Sequence, residues 1–178
     1  HGQTIAHLPA RRTTTVQIGE PSIIAERVGV TVVSDFRVAD TAAGGQGAPL
    51  VPWVHDVMFA RRGRRVAVVN IGGMANVTIL EPGRSAHSIK GGDSGPGNAL
   101  IDDWVYQHSG HSLDSDGRLA AAGRPDEALL ERLLDHEYFL RKPPKSLDRN
   151  DFLSDSLAGL NLADGAATLT AFSARAVA

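Results

Sequence analysis

Apolar positions recur along the first third of the chain in patterns that predict short strands and helices. Residues 13–18 alternate in polarity and are rich in β-branched side chains, which is typical of a strand. Residues 23–28 predict a short helix that Gly29 ends as a left-handed cap. Residues 30–33 form an apolar run that predicts a buried strand, and residues 49–62 carry apolar side chains at near-helical spacing.

The hydrophobic period changes in the middle of the chain. Residues 66–71 form a continuous apolar run, which predicts a central strand. A glycine turn separates this run from a second predicted strand at residues 75–80, and residues 85–89 predict a shorter third strand. The glycine-rich residues 91–98 then read as a loop that leads into a helix.

The last third of the chain reads as helical. Leucines in residues 125–138 form an apolar stripe, residues 149–160 predict a further helix, and Asp164 is the predicted N-cap of a final one. This order of strands and helices predicts an α/β protein. We place a domain boundary between residues 1–62 and residues 63–178.

Composition narrows the functional classes. The chain has 178 residues with a hydrophobic content of 42%, which is enough for a packed core. A net charge of −2 without a basic face gives no reason to expect nucleic acid, and no apolar run is long enough to span a membrane. Cysteine is absent, which suits a cytoplasmic protein. The chain opens on His1 without an initiator methionine and stops inside a helical pattern, so we expect a central excerpt of a longer protein.

The strongest chemical signal is a pair of carboxylates and a guanidinium beside a loop of glycine and alanine. Asp35, Arg37 and Asp40 follow a predicted strand and precede residues 42–48. Ligands of α/β sheets usually bind at such strand ends, and a bare backbone lets a ligand approach closely. An aspartate there could act as a general base, with Asp40 favoured because it directly precedes the loop. A structural ion pair between Asp35 and Arg37 is the alternative.

Two further glycine-rich segments indicate a phosphorylated ligand. A hairpin apex at residues 70–76 could offer backbone N–H groups to phosphate, although an ordinary hairpin is the alternative. Residues 91–98 lead into a helix N-terminus, where Asp93 could hold Mg²⁺ through water and Asn98 could donate to a ligand. A tight turn capped by Asp93 would explain the same residues.

These segments together resemble a known family. Residues 35–52, which read DFRVADTAAGGQGAPLVP, closely resemble the signature of anhydro-N-acetylmuramic acid kinases. Further blocks agree in the same order, with HGQT at residues 1–4, NIGGMAN at residues 70–76 and DSGPGN at residues 93–98. The likeness covers essentially the whole chain.

The resemblance implies an actin/hexokinase-like (RNase H-like) fold in which two α/β domains flank a nucleotide cleft. It also implies a kinase that cleaves the 1,6-anhydro ring of anhydro-N-acetylmuramic acid with water and phosphorylates O6 from ATP with Mg²⁺. The product would be N-acetylmuramic acid 6-phosphate, in peptidoglycan recycling. By motif position the catalytic base is Asp40. We expect Asp93 to be the metal contact, through water. The expected sugar contacts are His1, Gln3, Asp35, Arg37, Gly45 and Gln46, with an ordinary loop as the alternative for His1 and Gln3. The expected phosphate or nucleotide contacts are Gly72, Gly73, Asn76, Gly95 and Asn98.

The chain also departs from the family. The family's first phosphate loop, a Gly-Thr-Ser-x-Asp-Gly stretch, does not occur here, and neither does the later segment that usually contacts adenosine. Three alternatives therefore stay open: another sugar or acetate-type kinase, a sugar-binding protein without catalysis, and a truncated inactive product. The apolar C-terminal helices could support a homodimer.

Overall fold

The computed structural model describes residues 3–8, 14–83, 89–143, 145–147, 152 and 157–178. The described chain is an α/β protein with two small antiparallel sheets. The first sheet pairs β1 (Gln3–Leu8) with β2 (Thr14–Ile18). The second contains β3 (Val66–Ile71), β4 (Met74–Leu80) and β5 (Ile89–Pro96), with β4 in the middle.

Helices follow the strands of each sheet. After β2 come α1 (Pro21–Val28), α2 (Phe36–Ala42) and α3 (Pro52–Phe59). After β5 come α4 (Ala99–Ser109), a 3₁₀ turn (Ser115–Gly117), α5 (Arg118–Ala122), α6 (Glu127–Leu134), α7 (Glu137–Leu140) and α8 (Leu162–Val177). None of these described helices is both long enough and apolar enough to cross a bilayer. Most of the helix predicted at residues 149–160 lies outside the described residues.

The caps of α1 confirm the helix predicted there. The Glu20 side chain accepts the N–H of Ser22 at the start of the helix. Gly29 ends it with φ of 68°, in the left-handed region that glycine adopts without a steric penalty. At the other end of the chain the predicted cap is wrong. The side chain of Asn161, and not that of Asp164, accepts a hydrogen bond at the start of α8.

Two strand predictions and one loop prediction differ from the structure. Residues 30–33 form no strand, and Val30 and Val33 are 60% and 70% exposed. Residues 66–71 form an edge strand of the sheet, because β5 pairs with the far side of β4. Most of residues 91–98 lie within β5, since the backbone groups of β4 satisfy those of the glycines. The predicted loop is therefore mainly a strand.

The hydrophobic core lies in the second part of the chain. Large side chains from α6, α7 and α8 fill one cluster, which contains Leu130, Tyr138 and Phe172. A second cluster places Trp104 of α4 against Ala166 and Leu169 of α8. The predicted leucine stripe is confirmed, because Leu129 and Leu130 are fully buried.

Helices cover both faces of the second sheet, and glycines of β5 let them approach. A side chain at Gly91 would lie 2.7 Å from Pro52 of α3, and one at Gly95 would lie 2.5 Å from Ala176 of α8. The His55 ring of α3 also forms a hydrogen bond of 2.9 Å with the hydroxyl of buried Thr78. Helix α3 therefore packs on the sheet that follows it.

In the first sheet, polar side chains face inward and apolar side chains face outward, which is the reverse of the usual arrangement. Thr15 and Gln17 of β2 face one side, where Thr15 is buried, while Val16 and Ile18 face the other side and are exposed. The apolar side chains Ile23, Ile24 and Val28 of α1 are likewise exposed. The first part of the chain thus buries a polar surface and leaves an apolar one uncovered in this structure.

The packing of Gly165 yields a stability prediction. Alanine normally stabilises a helix interior by about 1 kcal/mol relative to glycine. A side chain at Gly165 would lie 2.2 Å from the Trp104 ring, whose Nε1 donates to Leu162 O. We therefore expect Gly165→Ala to destabilise the protein by roughly 1–3 kcal/mol.

Urea unfolding monitored by circular dichroism measures this effect. Thr170→Ala, at an exposed position of the same helix, is the control and should change stability by about 0.5 kcal/mol or less. A raised unfolding midpoint for Gly165→Ala would contradict the packing argument.

Candidate functional site

Helix α2 places Asp40 in its last turn. The helix begins after Asp35, which adopts a left-handed conformation with φ of 64°, and it ends where Gly44 turns the chain with φ of 90°. Asp40 therefore lies on a helix and not at a strand end, and α2 was not predicted. The error arose because alanine and small polar residues gave no apolar period.

The glycine loop folds back over the Asp40 side chain. Gly45 donates its N–H to Asp40 O, and Gly47 donates its N–H to Asp40 Oδ2 over 2.7 Å. A side chain at Gly45 would lie 2.2 Å from Oδ2 and would displace the carboxylate. Within the described chain, no donor reaches the other carboxylate oxygen of Asp40, and no cation pairs with it. The loop thus orients the carboxylate and leaves one oxygen able to accept a proton.

Polar side chains of the first sheet lie behind this loop. The Nδ1 atom of His7 lies 3.2 Å from Thr15 Oγ1, and Gln17 Nε2 donates to the same hydroxyl over 2.6 Å. The hydroxyl of buried Thr41 donates to Arg37 O within α2. Sequence analysis missed His7, Thr15 and Thr41. The polar positions that alternate with apolar ones along β2 were the available signal.

Asp35 and Arg37 do not form the ion pair that was the alternative to a catalytic role. Among the described side chains, the Asp35 carboxylate instead accepts a hydrogen bond of 3.3 Å from the Ser34 hydroxyl. Burial raises the pKa of Asp93 on β5, and the charge of Arg37 is one of the smaller effects that oppose this shift.

Asp93 connects three parts of the chain through hydrogen bonds. Its carboxylate Oδ2 accepts the N–H of Leu147 over 2.9 Å, and its own N–H donates to Lys145 O over 2.9 Å. Its carbonyl oxygen accepts the hydroxyl of Tyr138 over 2.8 Å. The segment 145–147 thereby lies along the outer edge of β5.

Burial raises the pKa of the Asp93 carboxyl above its ordinary value of 3.8. The N–H of Leu147 and the charges of Arg37 and Lys145 act in the opposite direction, but burial is the larger effect. Burial also lowers the pKa of Lys145, and the neighbouring charge of Arg141 adds to this effect. Lys145 Nζ donates to Tyr138 O over 3.1 Å.

These residues do not fit a magnesium ion held by protein side chains alone. No group of three or more histidines or carboxylates in the described ranges could hold a metal. Asp93 offers a single carboxylate, one oxygen of which already accepts a hydrogen bond. The contact through water predicted for Asp93 stays a prediction.

The hairpin apex of β3 and β4 packs against the start of α4. Gly97 and Ala99 donate their N–H groups to Gly73 O, and Asn98 donates its N–H to Gly72 O over 2.8 Å. A side chain at Gly97 would lie 1.9 Å from Gly72 O. The N–H groups of Asn98 and Ala99 are therefore used within the protein, so an anion contact from Asn98 must come from its exposed side chain.

Two further predicted phosphate contacts, Asn76 and Gly95, lie within strands of the second sheet. Asn76 pairs with Asn70 and with Asp93 within the sheet, and Gly95 is buried beneath α8. Gln46 is half-buried in the glycine loop. His1 lies outside the described residues, and the description of Gln3 is limited to its backbone in β1.

Comparison with known proteins agrees with the motifs. A family model described as anhydro-N-acetylmuramic acid kinase matches residues 1–178. A protein of that name from Methylobacterium nodulans is 53% identical over 100% of this chain and 47% of its own length. Proteins of the same name from Nitrobacter winogradskyi and Rhodospirillum rubrum are each 51% identical to this chain, which covers 48% and 47% of their lengths. The chain spans about half the length of the curated relatives it matches.

The raised pKa of Asp93 predicts a pH dependence of stability. Because the folded state binds this proton more tightly than the unfolded state, the folded protein loses stability as pH rises from 3.8 through the raised pKa. Asp93→Asn cannot ionise, and its amide oxygen can still accept the N–H of Leu147. We expect the unfolding free energy of the variant, relative to wild type, to increase over this pH range.

Urea unfolding at a series of pH values from about 4 upward measures that difference. Asp135→Asn, at the exposed C-cap of α6, is the control for loss of one charge. A difference for Asp93→Asn that falls with pH would mean that its charged form stabilises the fold, contrary to the burial argument.

Proposed function

This chain belongs to the anhydro-N-acetylmuramic acid kinase family, and on that premise we propose that it forms the central part of a kinase acting on anhydro-N-acetylmuramic acid. The proposed reaction opens the 1,6-anhydro ring with water and transfers a phosphoryl group from ATP to O6. The product is N-acetylmuramic acid 6-phosphate, which belongs to peptidoglycan recycling in the cytoplasm.

The observation that carries this proposal is the orientation of Asp40. Its Oδ2 accepts the N–H of Gly47, and the glycine backbone of the loop lies directly against the carboxylate. A hydrogen bond to one oxygen fixes the direction of the other, which general base catalysis requires.

The proposed chemistry assigns one proton to Asp40. The carboxylate takes a proton from water while the water oxygen bonds to the anomeric carbon of the sugar. The bond from that carbon to O6 breaks, and O6 forms a bond to the γ-phosphorus as ADP leaves. Arg37 and Asp35, at the start of the same helix, and Gln46, beside Gly45, are the proposed sugar contacts.

The hairpin apex is the proposed phosphate contact. Gly73 and the Asn98 side chain are both exposed, and the bond from Asn98 N to Gly72 O keeps them at the same end of the second sheet. ATP with Mg²⁺ is the expected phosphoryl donor, and the metal would neutralise charge on its phosphates. No step is assigned to Mg²⁺, because Asp93 is its single candidate ligand here.

We also propose the actin/hexokinase-like fold and the division at residues 62 and 63. The uncovered apolar surface of the first part supports a larger domain: Val16 and Ile18 of β2 would be interior if further chain packed on that face. A two-stranded sheet alone is marginally stable in water, so additional strands are expected beside β1 and β2. A homodimer stays a prediction.

A coupled assay tests the proposed activity. The full-length protein that carries this chain should release ADP from ATP when anhydro-N-acetylmuramic acid and Mg²⁺ are both present. The sugar product should carry phosphate on O6 by mass spectrometry and NMR. No ADP release above a blank without sugar would contradict the kinase assignment and favour a protein that binds sugar without catalysis.

Asp40→Asn tests the role of the carboxylate. The amide can still accept the N–H of Gly47 but cannot take a proton, so turnover should fall roughly 10²–10⁴-fold. Sugar binding measured by calorimetry should stay close to wild type. Asp35→Asn is the matched comparison, and near-wild-type turnover of Asp40→Asn with loss of turnover in Asp35→Asn would assign the base to Asp35.

A further inference from the structure

The buried face of the first sheet is polar, and its central histidine contacts the loop that holds Asp40. His7 on β1 pairs in register with Thr15 on β2, and its Nδ1 lies 3.2 Å from the Thr15 hydroxyl. Thr15 is buried, and the amide of Gln17 donates to the same hydroxyl over 2.6 Å. The imidazole therefore has a fixed position on the sheet.

Gly47 is packed against both this imidazole and α2. A side chain at Gly47 would lie 3.2 Å from His7 Cε1, 2.9 Å from Thr41 Cγ2 and 3.5 Å from Arg37 O. Gly47 is itself buried and has φ of 69°. The ring of His7 and the methyl group of Thr41 thus both border the space that a side chain at Gly47 would occupy.

We propose that His7 is a positioning residue for Asp40. Its imidazole, held by Thr15, fixes Gly47 so that the N–H of Gly47 stays within 2.7 Å of Asp40 Oδ2. No contact of His7 with the sugar is needed. The proposal that His7 fixes Gly47 rests on the contacts above. The expected effect of His7 on turnover rests on the proposed function.

The loop needs a positioning residue because its own backbone is flexible. Residues 44–48 contain glycine at three of their five positions, so the backbone alone has many accessible conformations. A loop that departs from one conformation releases Oδ2 and lets the carboxylate rotate. A displacement of about 1 Å in a catalytic group can reduce the rate roughly 10²-fold. A rigid, hydrogen-bonded ring beside Gly47 limits that movement.

The Gly47 amide provides a readout that does not depend on activity. Gln46–Gly47 is the single Gln–Gly step in this chain, so ¹³C-carbonyl glutamine with ¹⁵N-glycine labelling selects this amide in an HNCO spectrum. An N–H that donates to a carboxylate resonates downfield, and Asp40→Asn should move it upfield. His7→Ala should move it in the same direction. His7→Asn, whose amide can reach Thr15, should restore much of the shift.

A matched histidine serves as the control. His55 on α3 also bonds to a threonine hydroxyl on a strand, that of Thr78, over 2.9 Å. His55→Ala should leave the Gly47 amide resonance in place. If His7→Ala does not fold, Thr15→Val, which removes the hydroxyl that holds His7, tests the same contact. A Gly47 resonance unchanged in whichever of these two variants is measured overturns the proposal.

Kinetics test the consequence for turnover. His7→Ala should lower kcat by about 10- to 100-fold with little change in KM for the sugar, and His7→Asn should recover part of that loss. A large rise in KM with unchanged kcat would make His7 a sugar contact and overturn the positioning role. An inactive wild-type protein would count against the proposed function alone, because the Gly47 amide still decides the role of His7.

Discussion

The hydrogen bond from Gly47 N–H to the Asp40 carboxylate is the interaction on which the candidate site depends. It closes residues 44–48 over the last turn of α2 and gives the carboxylate one orientation. The bond is possible because glycine at position 45 removes a side chain that would otherwise overlap Oδ2. The absence of side chains in this loop therefore has a structural cause, the close approach of backbone to a carboxylate.

The packing of the second sheet also depends on glycines that allow a close approach. Glycines on β5 and at the hairpin apex allow contacts that a β-carbon would prevent: Gly91 with α3, Gly95 with α8 and Gly97 with the Gly72 carbonyl. These contacts place α3, which directly follows the glycine loop, on the sheet that carries Asp93. The two parts of the chain are therefore joined by the packing of α3 on this sheet.

The two parts of the chain differ in how they bury surface. The second part has a core of aromatic and aliphatic side chains around Tyr138 and Phe172. The first part buries threonines and leaves Val16, Ile18 and the isoleucines of α1 exposed. An exposed apolar face beside a polar buried one is expected where further chain covers the apolar side. The relatives are about twice as long as this chain.

Features that depend on local chemistry could be predicted from the amino-acid sequence. These include the caps of α1, the β3–β4 hairpin, the leucine stripe and the motif that singles out Asp40. Which glycine-rich segment is a loop and which is a strand depends on packing, because glycine has no side-chain period and β4 supplies the hydrogen bonds that make β5. Packing likewise brings His7 to Gly47 across 40 residues of chain, a contact that no local pattern encodes. Local propensity acts over a few residues, whereas the site is assembled by packing between elements distant in sequence.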